Sequence, residues 1–452
     1  MKILFLENRY FTQILDALAK RLLDLGHEIH WVVQNPAFSP SNGVIHTLSF
    51  PSKQSYGLLH PILRNRLFES DRGVRWFEGD GLHWQNYFEQ IKQILDHIQP
   101  DVVFGEVTEF HELMTCDICK SNNIPFLSPN VTRYPVGRLN FFKYDSLITF
   151  GGDGTQLTPS EATTMLGDIV ARKVQPTYMV KVKKNPVSKY SNALRDKVKI
   201  LVGWLNGERY VTPSPWVKLK LGLSHFLQKR SWERTATNAI PTDLHGKTWV
   251  LYPLQMQPES NIEVWGSPWS DQTAIVKRVA NALETIGVTL VVKPNPKSKY
   301  ELTSALCDVV RNTKNIIALS HNTPMTMVFE KAPAILTVTG TVLLECIFSG
   351  KPVMVLGSHA MSTYPGVTSI SEPEDIVAVL KEKKLLSATN TDAINLLRNL
   401  FSNSYPAMIW DQFSTPEMLN DENTNRLVAA FSDVLAKIND MKTDNNLNEF
   451  RS

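Results

Sequence analysis

The chain has 452 residues, 43% of them hydrophobic and 20% charged, the balance of a globular protein too long for one core, and two domains of roughly 200 residues each are expected. Its formal net charge of +3 argues against a dedicated nucleic-acid binder, which gathers basic residues on one face. No run approaches the roughly 18 apolar residues of a membrane span, and four cysteines are too few for a disulfide framework, which fits a reducing cytoplasm.

The opening segment turns polar by Glu7, so its apolar stretch is too short for a signal peptide. Lys2–Leu6 reads as a buried strand, Tyr10–Leu25 as a helix ended by a left-handed Gly26, and Glu28–Val33 as a second strand. This is a βαβ unit of Rossmann type, but Glu7, Asn8 and Arg9 occupy the turn where a dinucleotide binder carries G-x-G-x-x-G. A strand over Val44–Phe50, a helix over Trp84–Ile98, a strand over Asp101–Phe104, a helix to Lys120 and a strand over Pro125–Leu127 complete a first Rossmann-like domain, expected over residues 1–150. From 151 to 244 the alternation lapses into helical stretches near Ser160–Arg172 and Ser191–Leu205, read as a connecting or inserted region. It resumes at Lys247, with strands near Trp249, Thr289, Ile316, Ala334 and Pro352 forming a second doubly wound sheet over 245–420. Leu427, Val428, Phe431, Val434, Leu435 and Ile438 repeat at helical spacing within 421–440, and the polar residues 441–452 read as a disordered tail.

Within the first half, Gly105-Glu106-Val-Thr-Glu109-Phe-His111-Glu112 supplies the best candidates for a catalytic carboxylate, Glu106, Glu109 and Glu112. Glu106 stands immediately after a strand and is held most rigidly; Glu109 and Glu112 read more readily as solvated helix-face acids than as the catalytic group. Arg133 and Arg138, after the next strand, are candidates for clamping an anionic sugar or acceptor, or ordinary surface arginines. Cys116 and Cys119 form a Cys-x-x-Cys pair without a second pair, so core packing is the better reading and no metal is expected. Gly151-Gly152-Asp153-Gly154-Thr155 resembles the phosphate-binding turn of NAD kinases and diacylglycerol-type lipid kinases over those five residues only. An ATP-dependent kinase is therefore one alternative, against a simple domain-linking turn. The basic stretch Arg172, Lys173, Lys181, Lys183, Lys184, Lys189, Arg195, Lys197, Lys199, with Trp216, Leu219, Leu223, Phe226 and Leu227 beyond it, suits either an anionic inner-membrane surface or a solvated face.

The second half carries three polar clusters where strands end: Gln255, Gln257, Glu259 and Ser260; then Lys293, Asn295 and Pro296; then Thr339, Gly340 and Thr341 leading into a helix with Glu345. The carboxyl ends of strands are where open α/β sheets bind ligands. A Thr-Gly-Thr turn into a helix directs unpaired N–H groups at an anion, although the same threonines can simply cap the helix.

Leu-Gln-x-x-Pro-Glu-Ser, Val-Val-Lys-x-Asn-Pro and Thr-Gly-Thr-x-x-x-Glu-x-x-x-x-Gly-Lys-Pro-Val, in that order, resemble the C-terminal half of bacterial capsule-polysaccharide glycosyltransferases, a group that includes the Kdo transferases of capsule and lipopolysaccharide assembly. The resemblance covers about a quarter of the chain. It implies an α/β fold of two Rossmann-like domains facing a cleft (GT-B-like), with a last helix crossing back onto the first domain. It also implies a nucleotide-sugar donor, CMP-linked Kdo or another ulosonic acid being favoured, a glycan or lipid-linked acceptor, peripheral inner-membrane association and no further cofactor. Glu345 is then placed to accept hydrogen bonds from the nucleotide ribose, and Lys293 to meet a phosphate or carboxylate. Asn295-Pro296 departs from the His-Pro that such enzymes often carry, and asparagine can donate a hydrogen bond but cannot become a cation. A non-catalytic carbohydrate-binding protein is a further alternative.

Overall fold

A computed structural model describes residues 1–9, 11–174, 176, 186–357, 360–409, 416–444 and 450. The chain divides into two compact units, Met1–Ser214 with Leu397–Ser452, and Pro215–Leu396.

The first unit is built on β1 (Lys2–Leu6), β2 (Glu28–Val33), β3 (Val44–Thr47), β4 (Val102–Phe104), β5 (Phe126–Val131) and β6 (Leu139–Lys143). They lie in the order β3-β2-β1-β4-β5-β6, parallel through β5. Ile3–Leu6, Trp31–Val33 and Val102–Phe104 are fully buried, the continuous apolar runs of strands covered on both faces. Gly26 closes the helix Thr12–Asp24 at φ +84°, with its N–H on Leu23 O. The helix Asp421–Thr443 buries Leu427, Phe431, Val434, Leu435 and Ile438 of the apolar series read from its spacing, with Val428 half-buried, and the Phe431 ring lies 4.8 Å from both Phe104 and Phe141. The C-terminal helix is thus part of the first unit's core. Of the segment expected to be disordered, Met441–Thr443 finish this helix and Phe450 packs on Tyr144 and Phe150, while 445–449 and 451–452 lie outside the described residues.

β6 pairs antiparallel with β5, Leu127 opposite Lys143 through Val131 opposite Leu139. It does not stand out in the sequence, because its five residues have no periodicity of their own and become a strand by joining an existing edge. The 151–244 region is divided: Pro186–Leu205 packs by Pro36–Phe38 in the first unit, whereas Pro215–Thr235 lies against Ser304–Asn312 in the second.

The second unit holds β7 (Trp249–Pro253), β8 (Thr289–Lys293), β9 (Ile316–Ala318), β10 (Ala334–Thr337), β11 (Val353–Leu356) and β12 (Val367–Ile370), in the order β12-β11-β10-β7-β8-β9 and all parallel. Val250, Tyr252, Leu290, Val292, Leu336 and Met354 form its core, closed by Trp232, whose indole N–H donates to Leu319 O at 2.9 Å. Each sheet reverses its winding once, between β1 and β4 and between β7 and β10, and ligands of such sheets bind at the carboxyl end of that reversal. Among the described residues no helix is long and apolar enough to cross a membrane.

Candidate functional site

In the first unit the turns after β1 and β4 meet at the reversal. Asn8, following β1, points its amide nitrogen at Glu106 Oε2 (3.2 Å), Glu112 Oε1 (3.3 Å) and Thr108 Oγ1 (3.4 Å). Arg9 donates to Glu208 Oε2 at 3.2 Å and Thr212 Oγ1 at 2.8 Å. Glu208 is completely buried and also accepts from Gln34 Nε2 and the Tyr210 and Val211 amides. Glu7 is buried, one carboxyl oxygen taking the Asn35 N–H at 3.0 Å and the other having no partner among the described residues.

The three acids expected in the Gly105–Glu112 turn come together but do different work. Glu112 is buried and accepts from the N–H groups of Glu106, Thr108 and Glu109 and from the Thr108 hydroxyl, at 2.8 to 3.2 Å. It therefore organises the turn and caps the helix Phe110–Ser121, not a solvated face. Glu109 opens that helix and is paired to Arg72 at 3.1 Å. Glu106 is half-buried, held on one oxygen by Asn8.

The cluster is crowded with acids in a poorly solvated place, and this governs its protons. Burial pushes the Glu7 carboxyl up to about 7, against the Asn35 N–H and the Arg9 charge. Burial also raises Glu109 in spite of Arg72, and pushes the His111 imidazole down to about 4. Glu106 is raised well above the carboxylate range by burial and then by the Glu112 charge. Burial also raises Glu112, to about 7, but the four donors of the turn oppose that rise and favour its ionised form, so the proton of this pair resides on Glu106. A carboxyl that holds a proton near neutrality and is fixed at a strand end is equipped for general acid–base chemistry.

In the second unit β10, β7 and β8 are neighbours, so the ends of those strands form one continuous edge. Gln255 and Thr339 meet across the reversal: Gln255 Nε2 donates to Thr339 O at 2.6 Å, and Thr339 Oγ1 donates to Gln255 Oε1 at 2.9 Å. Gln272, first residue of the helix Gln272–Glu284, clamps the Gln255 backbone through both of its amide atoms at 2.8 Å. Gly340 precedes the helix Thr341–Phe348 at φ +100°, where a Cβ would lie 3.4 Å from Gln255 Nε2. That N-terminus has no side-chain cap from Gly340, and Thr341 and Glu345 are half-buried on its first turns. Gln257 is an interior residue, engaged with Ser270 O and Gln272, its N–H on Glu301. Glu259 and the buried Ser260 open the short helix Ser260–Glu263.

Lys293, the last residue of β8, is 2% exposed and donates to Pro294 O at 2.9 Å and His321 O at 3.3 Å. Burial pushes its ammonium down to about 8, with the Glu233 charge opposing. Asn295 is spent locally, its side-chain oxygen accepting the Lys297 N–H at 2.8 Å, and Pro296 is exposed. Beside them runs a chain the sequence did not reveal. His321 Nδ1 lies 2.6 Å from Glu233 Oε1, and His321 Nε2 lies 2.7 Å from Ser298 Oγ. A carboxylate can only accept, so Nδ1 carries the hydrogen and Nε2 takes the serine proton. The chain fixes the His321 backbone to which Lys293 is bound. Its one sequence signal is a histidine just beyond a strand end; Glu233, inside a basic helical segment, carries none.

Arg138 is an internal residue. Its guanidinium meets Ser404 Oγ at 2.7 Å, Ser404 O at 2.7 Å and Asp153 Oδ2 at 2.5 Å, and stacks 4.0 Å from Phe401. Clamping a ligand is therefore not its work; Arg133 is half-buried in the β5–β6 loop. The Gly151–Thr155 turn is committed in the same way. The Asp153 and Gly154 N–H groups go to Ser404 O and Ser402 O, and the Thr155 N–H to Asp153 Oδ1. A Cβ on Gly152 would lie 2.3 Å from Ser402 O. Donors that a kinase turn needs for phosphate are thus used to anchor the 397–452 segment. Cys116 and Cys119 are buried thiols whose ionisation burial disfavours, as expected of core packing.

Solved structures similar in outline include UDP-GlcNAc 2-epimerase from Neisseria meningitidis bound to UDP-GlcNAc, at 13% identity over 88% of this chain and 98% of that one, TM-score 0.30. The calicheamicin glycosyltransferase CalG4 matches at 13% identity over 96% and 98%, TM-score 0.28, and the glycosyltransferase VinC in complex with dTDP at 11% over 89% and 95%, TM-score 0.25. These likenesses are too weak to bear on function. No curated protein matches the sequence. The model of the family described as "Capsule polysaccharide biosynthesis protein" matches residues 154–396, more than half of the chain and the whole of the β7–β12 sheet, and the chain accordingly belongs to the capsule polysaccharide biosynthesis family.

Proposed function

We propose that this protein is a glycosyltransferase of capsule or lipopolysaccharide O-antigen assembly. It takes a sugar, Kdo or a related ulosonic acid, from a CMP-linked donor and passes it to a glycan or lipid-linked acceptor. The observation that carries this reading is that a chain of the capsule family holds a strand-end site in each of its two units. One is a polar, anion-competent edge along β10, β7 and β8; the other is a proton-holding glutamate after β4. In the donor site, the N–H groups at the start of Thr341–Phe348 and the Lys293 ammonium meet the nucleotide phosphate, and Glu345 accepts from the ribose hydroxyls. Gln255 and Thr339 hold the Gly340 turn in shape.

In its ionised form Glu106 takes the proton of the acceptor hydroxyl. The acceptor oxygen bonds to the anomeric carbon, and the bond from that carbon to the phosphate oxygen breaks with its electrons on the nucleotide. A retaining variant uses the same carboxylate as nucleophile. Glu112 and Asn8 hold Glu106 in place, and removing Glu112 acts through the turn it organises.

The test is incubation with a panel of CMP- and UDP-sugars and a lipid-linked acceptor, read by mass spectrometry, beside calorimetry of CMP, UDP, GDP and ATP. Glu106→Gln should lower turnover at least about a hundredfold while nucleotide binding is retained. Near-normal turnover of that variant refutes the assignment of Glu106, and preference for ATP refutes the transferase reading. Sugar binding without any turnover favours a non-catalytic carbohydrate-binding protein.

A further inference from the structure

The helix Pro215–Thr235 is apolar on two opposite faces. Its inner face is anchored in the second unit: Trp232 is buried with its N–H on Leu319 O, and His225 Nδ1 lies 2.6 Å from Lys299 O. On the outer face stand Trp216, Leu219, Leu223, Phe226 and Leu227, between 53% and 80% exposed. At 100° per residue these five share an arc about 100° wide, centred roughly opposite the arc holding His225 and Trp232. Five large side chains on one face in water are not the scattered apolar residues of an ordinary surface.

The charges of the helix indicate what covers that face. It contains five basic residues, Lys218, Lys220, Lys229, Arg230 and Arg234, and one acid, Glu233, which is tied inward to His321. Lys220 borders one side of the stripe, Lys218 and Lys229 lie beyond the other, and Arg230 continues it. Long basic side chains so placed lay their stems along apolar surface and lift the charge to a phosphate layer. The first unit repeats the pattern on its own helix Pro186–Leu205. There Leu194, Val198, Leu201, Val202 and Leu205 are exposed at one-face spacing, with Arg195 and Lys197 exposed among them. Lys181, Lys183 and Lys184 of the basic stretch lie outside the described residues.

We infer that the outer face of Pro215–Thr235 is a docking surface for an anionic phospholipid bilayer, on which the helix lies in the interfacial plane with its five apolar side chains inserted. This goes beyond the donor and acceptor chemistry proposed above and stands on separate residues. It is tested by co-sedimentation of the full chain with vesicles of phosphatidylcholine alone or containing about one-third phosphatidylglycerol. The wild type should partition onto the anionic vesicles only, and at least about tenfold less after salt is raised to about 0.5 M. Leu223→Asp/Phe226→Asp should cut partitioning at least about tenfold while CMP binding by calorimetry is kept, which shows the second unit still folded. No partitioning of the wild type, or equal partitioning of the double variant, overturns the inference. So does a wild-type dimer in sedimentation velocity that the double variant abolishes without any vesicle binding, because a second copy then covers the face. Failure of CMP binding in both proteins, with partitioning intact, counts against the donor site and leaves the lipid surface standing.

Discussion

Glu7→Gln tests the electrostatics of the first unit directly. Glu7 is 2% exposed, one of its oxygens has no partner among the described residues, and burial lifts its carboxyl from 4.5 to about 7. Its folded value is the higher one, so between those values the native state binds a proton that the unfolded chain releases. Stability therefore falls as pH rises through this window, and the loss is complete above about 7. At about 1.4 kcal/mol per unit, the rise corresponds to about 3 kcal/mol, of which about 2–3 kcal/mol is lost between pH of about 5 and about 8. Glutamine keeps the acceptor for the Asn35 N–H and cannot ionise. Urea unfolding, followed through the buried Trp31 and its stacking on Phe5 at 4.9 Å, should be measured at both pH values for both proteins. Relative to wild type the variant should gain about 2–3 kcal/mol on going from the lower to the higher pH. An unchanged difference between the two proteins would mean that Glu7 is already ionised in the fold, and the proton assignment of the whole cluster would fall with it.

Three further outcomes follow from the same geometry. Because burial and Glu112 raise Glu106, kcat/KM should climb with pH above the ordinary carboxylate range, and Glu106→Gln should flatten the residual profile; a pH-independent wild type contradicts the role as base. Lys293→Met should weaken CMP binding at least about tenfold by calorimetry, with thermal stability unchanged or raised, since it replaces a buried cation whose hydrogen bonds among the described residues go to two carbonyls. Phe431→Ala, which empties a place among Phe5, Phe104 and Phe141, should cost the first unit about 3–5 kcal/mol in urea unfolding. A small effect there would show that the C-terminal helix is dispensable to that core.

Local pattern is enough for much of the fold and for the strand ends at which the candidate site residues stand. The apolar runs at Lys2–Leu6, Glu28–Val33, Trp249–Pro253 and Thr289–Lys293 are long enough to declare buried parallel strands unaided. The polar residues that follow them had to fall at the ligand-binding edge, because a strand's end is set by its own sequence. Hence the positions of Glu106, Gln255, Lys293 and the Thr339–Thr341 turn at strand ends are legible from the sequence. The β6 and β12 strands, the split of residues 151–244 and the membership of residues 397–420 in the first unit are not legible there. Each depends on which surface a segment finds. The same holds for the partners that give charges their meaning. Arg9 meets Glu208 across 199 positions, Arg138 meets Ser404 across 266, and His321 meets Glu233 across 88. A charged side chain reads alike on a surface and in a core until its neighbours are known. Burial and pairing, which decide whether an arginine clamps a ligand or holds a turn, arise only when distant segments close over it.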